Sequence, residues 1–380
     1  MKSKLLLILV AVLGPVFLPS AKVQAHPATG IVVDRAGNVY FSDLETIWKL
    51  DASGKKTVFR AGVSARHVHE LSIDEEGNLY GEDVSYNPAT KTWPSAIWKM
   101  TPEGKFTYLF DLTEHPPRGM SIWRDRAGNM YFIDQNNHTK TQTLLLRRQP
   151  DGKVSTLAGS SYGHKDGSGS GAHFGSVGGM GFGPDGSLYL TDSTSVRRVS
   201  MEGTVTTVAK DLNFRTRQDR PTLFGGSSGI LAGLAVDANG NVYVADAGNR
   251  RLLKITSGGN VEVVYRADPP FFPNGVFTTA AGDVYVLEFG FAPPSTSSGP
   301  RIRKLSSGKN EIVAAVGADA PSGIKTAVAE PAGSSAETVI EFFYSGGVSR
   351  IIVVIVSLGL VGSSLVIWKR KQRERRIEGP

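Results

Sequence analysis

One short phrase recurs six times along the chain: a Gly, a polar residue, an apolar residue and a Tyr, with an acidic residue three positions beyond the Tyr. The copies are Gly37-Asn38-Val39-Tyr40 with Asp43, Gly77-Asn78-Leu79-Tyr80 with Asp83, and Gly128-Asn129-Met130-Tyr131 with Asp134. They continue with Gly186-Ser187-Leu188-Tyr189 and Asp192, Gly240-Asn241-Val242-Tyr243 and Asp246, and Gly282-Asp283-Val284-Tyr285 and Glu288. A fixed phrase at a spacing of roughly forty to sixty residues marks a repeat architecture. It constrains the fold, and the fold constrains where a site can lie.

Each unit reads as four short strands. In the fifth unit, Gly233 to Tyr265, runs rich in β-branched and aromatic residues alternate with turn residues. Asn-Gly and Gly-Asn supply the positive φ that a tight reversal needs, so neighbouring runs pair antiparallel. The acid ending the second run is expected to accept backbone N–H bonds in the next loop. The third run mixes apolar and basic residues, as in Ile47-Trp48-Lys49-Leu50, Ile97-Trp98-Lys99-Met100 and Leu252-Leu253-Lys254-Ile255. A strand with one packed and one wet face has this pattern. Four-stranded antiparallel sheets repeated radially make a β-propeller. The expected fold is therefore all-β, a six-bladed propeller over residues 26–316. How the ring closes is left open, because a strand from either terminus can complete a last blade.

The stretch Gly233–Arg251 resembles an NHL repeat, as does Asp166–Phe174 followed by Gly179–Phe182. The chain between its two hydrophobic ends is similar to the NHL-repeat and SMP-30/gluconolactonase-like six-bladed propellers. That resemblance is specific for fold; the superfamily includes binding modules, sensor domains, lactonases and lyases. Pro273-Asn274-Gly275 resembles a motif of the gluconolactonase-like propellers, in which the Asn binds a divalent cation with carboxylates from other blades. Here the equivalent positions hold Thr29, Met120, Gly178 and Ala232, and Glu70 is offset by one. Without a carboxylate pair, Ca²⁺ ligation and general-base lactone opening lack their chemical basis.

The two ends place the protein. Residues 1–25 read as a secretory signal: Lys2 and Lys4, an apolar core from Leu5 to Leu18, and small residues before a cleavage point at Ala25. Residues 317–349 read as an Ala/Ser/Gly/Pro-rich stalk. The segment 350–368 reads as a single transmembrane helix; its eighteen uncharged residues from Ile351 to Trp368 would span roughly 27 Å. Residues 369–380 form a basic tail that the positive-inside rule keeps cytoplasmic. The expected location is the cell membrane, with the propeller outside the cytoplasm. Ten of the 42 basic residues and two of the 35 acidic ones lie in the signal segment, the transmembrane segment and the tail, which leaves 32 against 33 in the rest. The net charge of +7 is thus not a property of the propeller, and nucleic acid is excluded as the implied partner. With no cysteine, the exported domain has neither disulfides nor thiolate metal sites.

The candidate chemistry lies on the channel rim. His67-Val68-His69-Glu70 is the sharpest cluster, because residues 67 and 69 of a strand point to one side and can offer two imidazoles to one metal. His115 and His173 stand on the equivalent loops of the third and fourth units. Together these four form a candidate site for zinc, copper or iron, with Ca²⁺ as the ion the resemblance implies. Glu70, Asn274, Arg118 and Arg215 are the candidate ligand-binding residues of the rim. Arg215 lies in a long basic and aromatic insertion, Asp211–Gly226. Gly167–Gly171 has no phosphate-loop Lys or helix after it and reads as a loop. Asn137-His138-Thr139 fits a glycosylation acceptor if the host is eukaryotic. No complete catalytic set appears, so the leading expectation is a binding module for a small-molecule or protein ligand. The alternative is a metal-dependent lyase or lactone hydrolase built on the histidines. Oligomeric state is left open.

Overall fold

A computed structural model describes residues 29–85, 87, 89, 94–113, 123–135, 140–214, 216, 230–292 and 295–317, all within one compact unit, Gln24–Pro331. The signal segment 1–25, the stalk beyond Gly317, the helix 350–368 and the tail 369–380 lie outside the described residues. Among the described residues no helix is long and apolar enough to cross a membrane.

Among the described residues, twenty-five strands form six antiparallel sheets. Blade one is β1 (Ile31–Val33), β2 (Val39–Ser42), β3 (Ile47–Leu50) and β4 (Lys56–Arg60). Blade two is β5 (Arg66–Ile73), β6 (Leu79–Ser85), β7 (Ser95–Met100) and β8 (Phe106–Thr113). Blade three is β9 (Trp123–Arg124), β10 (Met130–Gln135), β11 (Gln142–Arg148) and β12 (Val154–Ser161). Blade four begins with β13 (Gly167–Ser168), then β14 (Val177–Phe182), β15 (Leu188–Asp192), β16 (Ser195–Val199) and β17 (Thr204–Ala209). Blade five is β18 (Leu231–Val236), β19 (Val242–Asp246), β20 (Arg251–Ile255) and β21 (Val261–Arg266). Blade six is β22 (Phe271–Thr278), β23 (Val284–Ala292), β24 (Ser295–Ser306) and β25 (Lys309–Ala315). The six-bladed propeller expected from the repeats is the observed fold. One local reading differs: Gly167 and Ser168 pair with Val205 and Thr204, so this glycine-rich segment adds a fifth strand to blade four.

The recurrent phrase is a hairpin with its own hydrogen-bond kit. The Asp34 carbonyl accepts the Gly37 N–H at 3.0 Å, and the Asp34 N–H donates to the Asn38 carbonyl at 3.0 Å. Gly37 has φ +82° and the other five repeated glycines lie between +76° and +86°, the left-handed region where a Cβ is costly. The Asp34 carboxylate accepts the Asn38 backbone N–H at 2.8 Å, its side-chain amide at 2.7 Å and the Tyr40 hydroxyl at 3.2 Å. Asp74 and Asp125 do the same for Asn78 with Tyr80 and for Asn129 with Tyr131. Across the strands, Tyr40, Tyr80, Tyr243 and Tyr285 pair directly with Lys49, Lys99, Lys254 and Lys304. Each ammonium sits 5.3–5.8 Å from the ring centre, a cation–π arrangement that explains the basic residue in the third run.

These turn bonds carry a pH signature. Burial opposes ionisation of Asp74, but the bonds from the Asn78 side chain, Tyr80 and the Asn78 backbone outweigh it and hold the carboxyl below its usual range. Asp185 and Asp283 are also held low against burial, mainly by bonds from Arg198 and Lys304 respectively. A carboxyl with a depressed folded pKa contributes stability above its unfolded pKa and loses it as pH falls. Stability is therefore expected to drop as pH falls below about 4, the ordinary carboxylate range. Asp74→Asn should flatten that slope in urea titrations run across pH; an unchanged slope would show that the turn carboxylates are not its source.

Apolar cores lie between neighbouring blades. Val32 and Tyr40 of blade one pack with Leu71, Leu79 and Trp98 of blade two. Tyr131 and Leu145 of blade three pack with Met180 and Leu188 of blade four. Ile31 and Phe41 of blade one share a core with Phe271 and Val286 of blade six, so the ring closes by face-to-face packing. Every sheet is built from strands consecutive in sequence, and no terminal strand is exchanged among the described residues. Lys56 of blade one donates to the Ala315 carbonyl of blade six at 2.6 Å across the same seam.

Candidate functional site

Five of the six acids that end the second strands are structural clamps. Asp43 accepts the N–H groups of Glu45 and Thr46 at 3.1 and 2.7 Å and the Trp48 indole at 2.7 Å, close to the loop role expected. Three others are held mainly by guanidinium groups. Asp83 is fully buried and accepts both terminal nitrogens of Arg60, from blade one, at 2.7 and 2.6 Å, with the Trp98 indole at 3.0 Å. Asp192 accepts Arg197 and the Gly175 N–H, each at 2.7 Å. Glu288 accepts Arg301 and Arg303. At Asp246 both roles combine, with the Asn249 N–H at 3.1 Å and Arg251 at 2.7 Å. These carboxylates are spent within and between blades.

Small residues crowd the axis. A Cβ on Gly179 would lie 2.7 Å from the Ala232 carbonyl oxygen, and one on Gly233 would lie 2.8 Å from that of Asn274. A Cβ on Gly275 would overlap the Thr29 carbonyl oxygen. The innermost strands therefore touch backbone to backbone from blade four through blades five and six to blade one. What remains is a cavity of about 20 Å³ for solvent centres, lined by Thr29, Glu70, Gly179 and Gly233 with apolar neighbours such as Met180. That is room for about one water. Glu70 and Asn274 are both buried on innermost strands.

His67 and His69 lie near the start of β5 on one side of the strand, with ring centres 6.1 Å apart and planes at 66°. The N–H groups of Thr29 and Gly30 donate to the His69 carbonyl at 2.8 and 2.9 Å, which ties blade one to this strand. His173 stands on blade four: its backbone exchanges hydrogen bonds with Lys165, and its carbonyl accepts Arg197 at 3.3 Å. Among the described residues no three His, Asp or Glu side chains come together to hold a metal. His115, Arg118 and Arg215 lie outside the described residues.

A second carboxyl of blade two is chemically distinct. Glu82 shares a face of β6 with Tyr80, which stacks under Arg124 of blade three at 4.6 Å. Desolvation, reinforced by the Asp83 carboxylate, pushes Glu82 up to about 7. A carboxyl raised on folding holds its proton while the unfolded chain has lost it. Stability then declines as pH rises from about 4.3, the unfolded value, and levels off above the folded one. Glu82→Gln should remove this decline in urea melts between those limits; a parallel profile for the variant would contradict it. Glu82 has no counterpart in the repeat: Ile133, Ala245 and Leu287 are apolar there, and Ser42 and Thr191 are hydroxyls that donate to the next blade, at Val68 and Ala232.

Fold and site together define a six-bladed propeller whose innermost strands crowd its axis, with two histidines on blade two. The chain belongs to the SMP-30/Gluconolactonase/LRE-like family, whose described region matches residues 27–286. Among solved structures it is similar to selenomethionine-substituted virginiamycin B lyase from Staphylococcus aureus, at TM-score 0.45 and 18% identity over 77% of this chain and 85% of that one. It is also similar to a calcium-binding regucalcin from Agrobacterium tumefaciens, at TM-score 0.45 and 14% identity over 71% and 85%. A gluconolactonase from Xanthomonas campestris is similar at TM-score 0.46 and 14% identity over 68% and 83%. No curated protein matches the chain.

Proposed function

We propose that this chain is a membrane-anchored propeller, displayed outside the cytoplasm, that binds a ligand at its channel rim on blade two. The observation that carries the reading is that β5 presents His67 and His69 on one side, ring centres 6.1 Å apart, immediately before Glu70, which lines the small cavity between the innermost strands. The cavity beside Glu70 has room for about one water, so a larger ligand would be held outside it, at the mouth. There it meets two imidazoles as hydrogen-bond partners and one carboxylate. Family membership makes a sugar lactone a natural first probe. Full-length protein treated with EDTA should bind D-glucono-1,5-lactone saturably in calorimetry without accelerating its opening. Glu70→Gln and His69→Ala should each weaken binding by about tenfold, the loss of one good polar contact. Unaltered binding in both variants would remove the rim from consideration.

A second reading has one specific observation in its favour. Two imidazoles binding one ion, each nitrogen about 2.1 Å from it and about 1 Å from its own ring centre, have ring centres roughly 5–6.5 Å apart. The observed 6.1 Å is about 1 Å wider than a tetrahedral ion would set, so the rings would close by that much on binding, with Glu70 next in the chain. The chain would then be a metal-dependent lyase or lactone hydrolase, and lactone opening would depend on the metal and on His69.

A further inference from the structure

Leu44, in the loop after β2, has a φ of +88°, in the left-handed region where a bulky side chain is an outlier. The repeat does not impose this conformation. Leu44 stands seven residues after the repeated Gly, and at the same place Val84, Gln135, Ala247 and Phe289 do not have positive φ. Only Ser193 of blade four shares it, at +56°. The strained residue makes a contact across a blade boundary. Its carbonyl accepts the Val68 N–H of blade two at 2.6 Å, and the two residues form an isolated bridge. Its own N–H donates to the Ser42 hydroxyl at 3.0 Å, and that hydroxyl donates to the Val68 carbonyl at 2.7 Å. Blade one thus holds both backbone groups of Val68.

Val68 is the residue between His67 and His69. Within blade two the pairing of β5 with β6 slips between Val68 and Leu71, so regular pairing with β6 does not fix His69. Blade one does, because the His69 carbonyl accepts the N–H groups of Thr29 and Gly30. On the other side, the Arg66 N–H donates to the Val63 carbonyl at 3.0 Å and its guanidinium donates to the Tyr108 hydroxyl at 2.6 Å. The segment that carries both imidazoles is therefore held at each residue from 66 to 69 except His67 by contacts outside its own strand pair. A left-handed Leu costs free energy, and it persists where the surroundings over-determine it, as at ligand sites. Here the cost aims one carbonyl at the peptide between two histidines.

We propose that Leu44 is a positioning residue of the blade-two mouth: its left-handed backbone presents the carbonyl that fixes Val68, and with it the placement of His67 and His69. This role presupposes the rim binding proposed above. Two substitutions separate backbone from side chain. Leu44→Gly adopts the positive φ freely but gives up the packing of Leu44 against the core shared by blades one and six. Leu44→Ile keeps that volume, but a β-branched residue fits positive φ worse. In calorimetry on the full-length protein, Leu44→Gly should bind D-glucono-1,5-lactone within about twofold of the parent and Leu44→Ile about tenfold more weakly. The Val68 amide should exchange with deuterium faster in the Ile variant alone. A packing role for the side chain gives the reverse order. That reversal, or equal binding by the two variants, would overturn the assignment while leaving the rim reading intact. If the parent binds no lactone, the rim reading fails instead, and Val68 exchange decides alone: faster in Ile than in Gly supports the clamp, and no difference overturns it. If the Ile variant does not fold, Leu44→Gly is decisive: parent-like Val68 protection supports the clamp, and its loss overturns it.

Discussion

Asp246→Ala should cost about 3–5 kcal/mol of stability, the range for removing one partner of a buried ion pair. Asp246 and Arg251 are both fully shielded from solvent and meet at 2.7 Å. The carboxylate also accepts the Asn249 N–H at 3.1 Å and its side-chain amide at 2.9 Å. Truncation leaves a guanidinium in a place water does not reach, held by the carbonyls of Leu212 and Phe214 and by the Phe214 ring, 4.2 Å away. None of those can balance a full charge. Burial pushes the Asp246 carboxyl above its usual range, against the pull of Asn249 and Arg251, so desolvation offsets part of the attraction. The pair as a whole should therefore matter less than either half. Asp246→Leu with Arg251→Met should recover at least half of the loss in urea denaturation. A single variant within about 0.5 kcal/mol of the parent, the usual size of a surface change, would show that the clamp is not buried as described.

Gly275→Ala should destabilise by about 3 kcal/mol or more, at the upper end of overpacking costs. The added Cβ would overlap the Thr29 carbonyl oxygen, and both partners are fixed. Thr29 belongs to the segment whose N–H donates to His69, and Gly275 lies at the bulge where β22 pairs with β23. Relief requires blade six to move away from blade one, which would open the shared core of Ile31, Phe41, Phe271 and Val286. Gly171→Ala is the control: nothing lies within 4 Å of its added Cβ, and its φ is not in the left-handed region. It should stay within about 0.5 kcal/mol of the parent. Equal stability of the two variants would contradict a hub in which innermost strands touch.

The blade is legible in the sequence because each hairpin carries its own chemistry within seven residues, from Asp34 to Tyr40. Gly supplies the turn, Asn and Tyr bind the preceding Asp, and the cross-strand Lys covers the Tyr. That preceding Asp was available as a signal, since it stands three residues before the Gly in four of the six units. Small residues at the axis were legible too, because strand crowding excludes side chains. The partners of the strand-end acids were not. Asp83 meets Arg60 across a blade boundary, and Glu288 meets Arg301 after a long hairpin. Pairing of this kind depends on how neighbouring sheets pack, which local pattern does not encode. The same limit hid the clamp on Val68: Leu44 and Ser42 reach it only across the boundary between blades one and two. For the rim, strand alternation put His67 and His69 on one side, as observed, whereas the enclosure of Glu70 follows from ring closure.

Metal content decides most directly whether the blade-two mouth is a ligand rim or a catalytic centre. Elemental analysis of the full-length protein, purified without added metal, is the measurement. The account expects far less than one transition-metal ion per chain and an EDTA-treated protein that melts unchanged. One ion per chain, lost in both His67→Ala and His69→Ala, would contradict it.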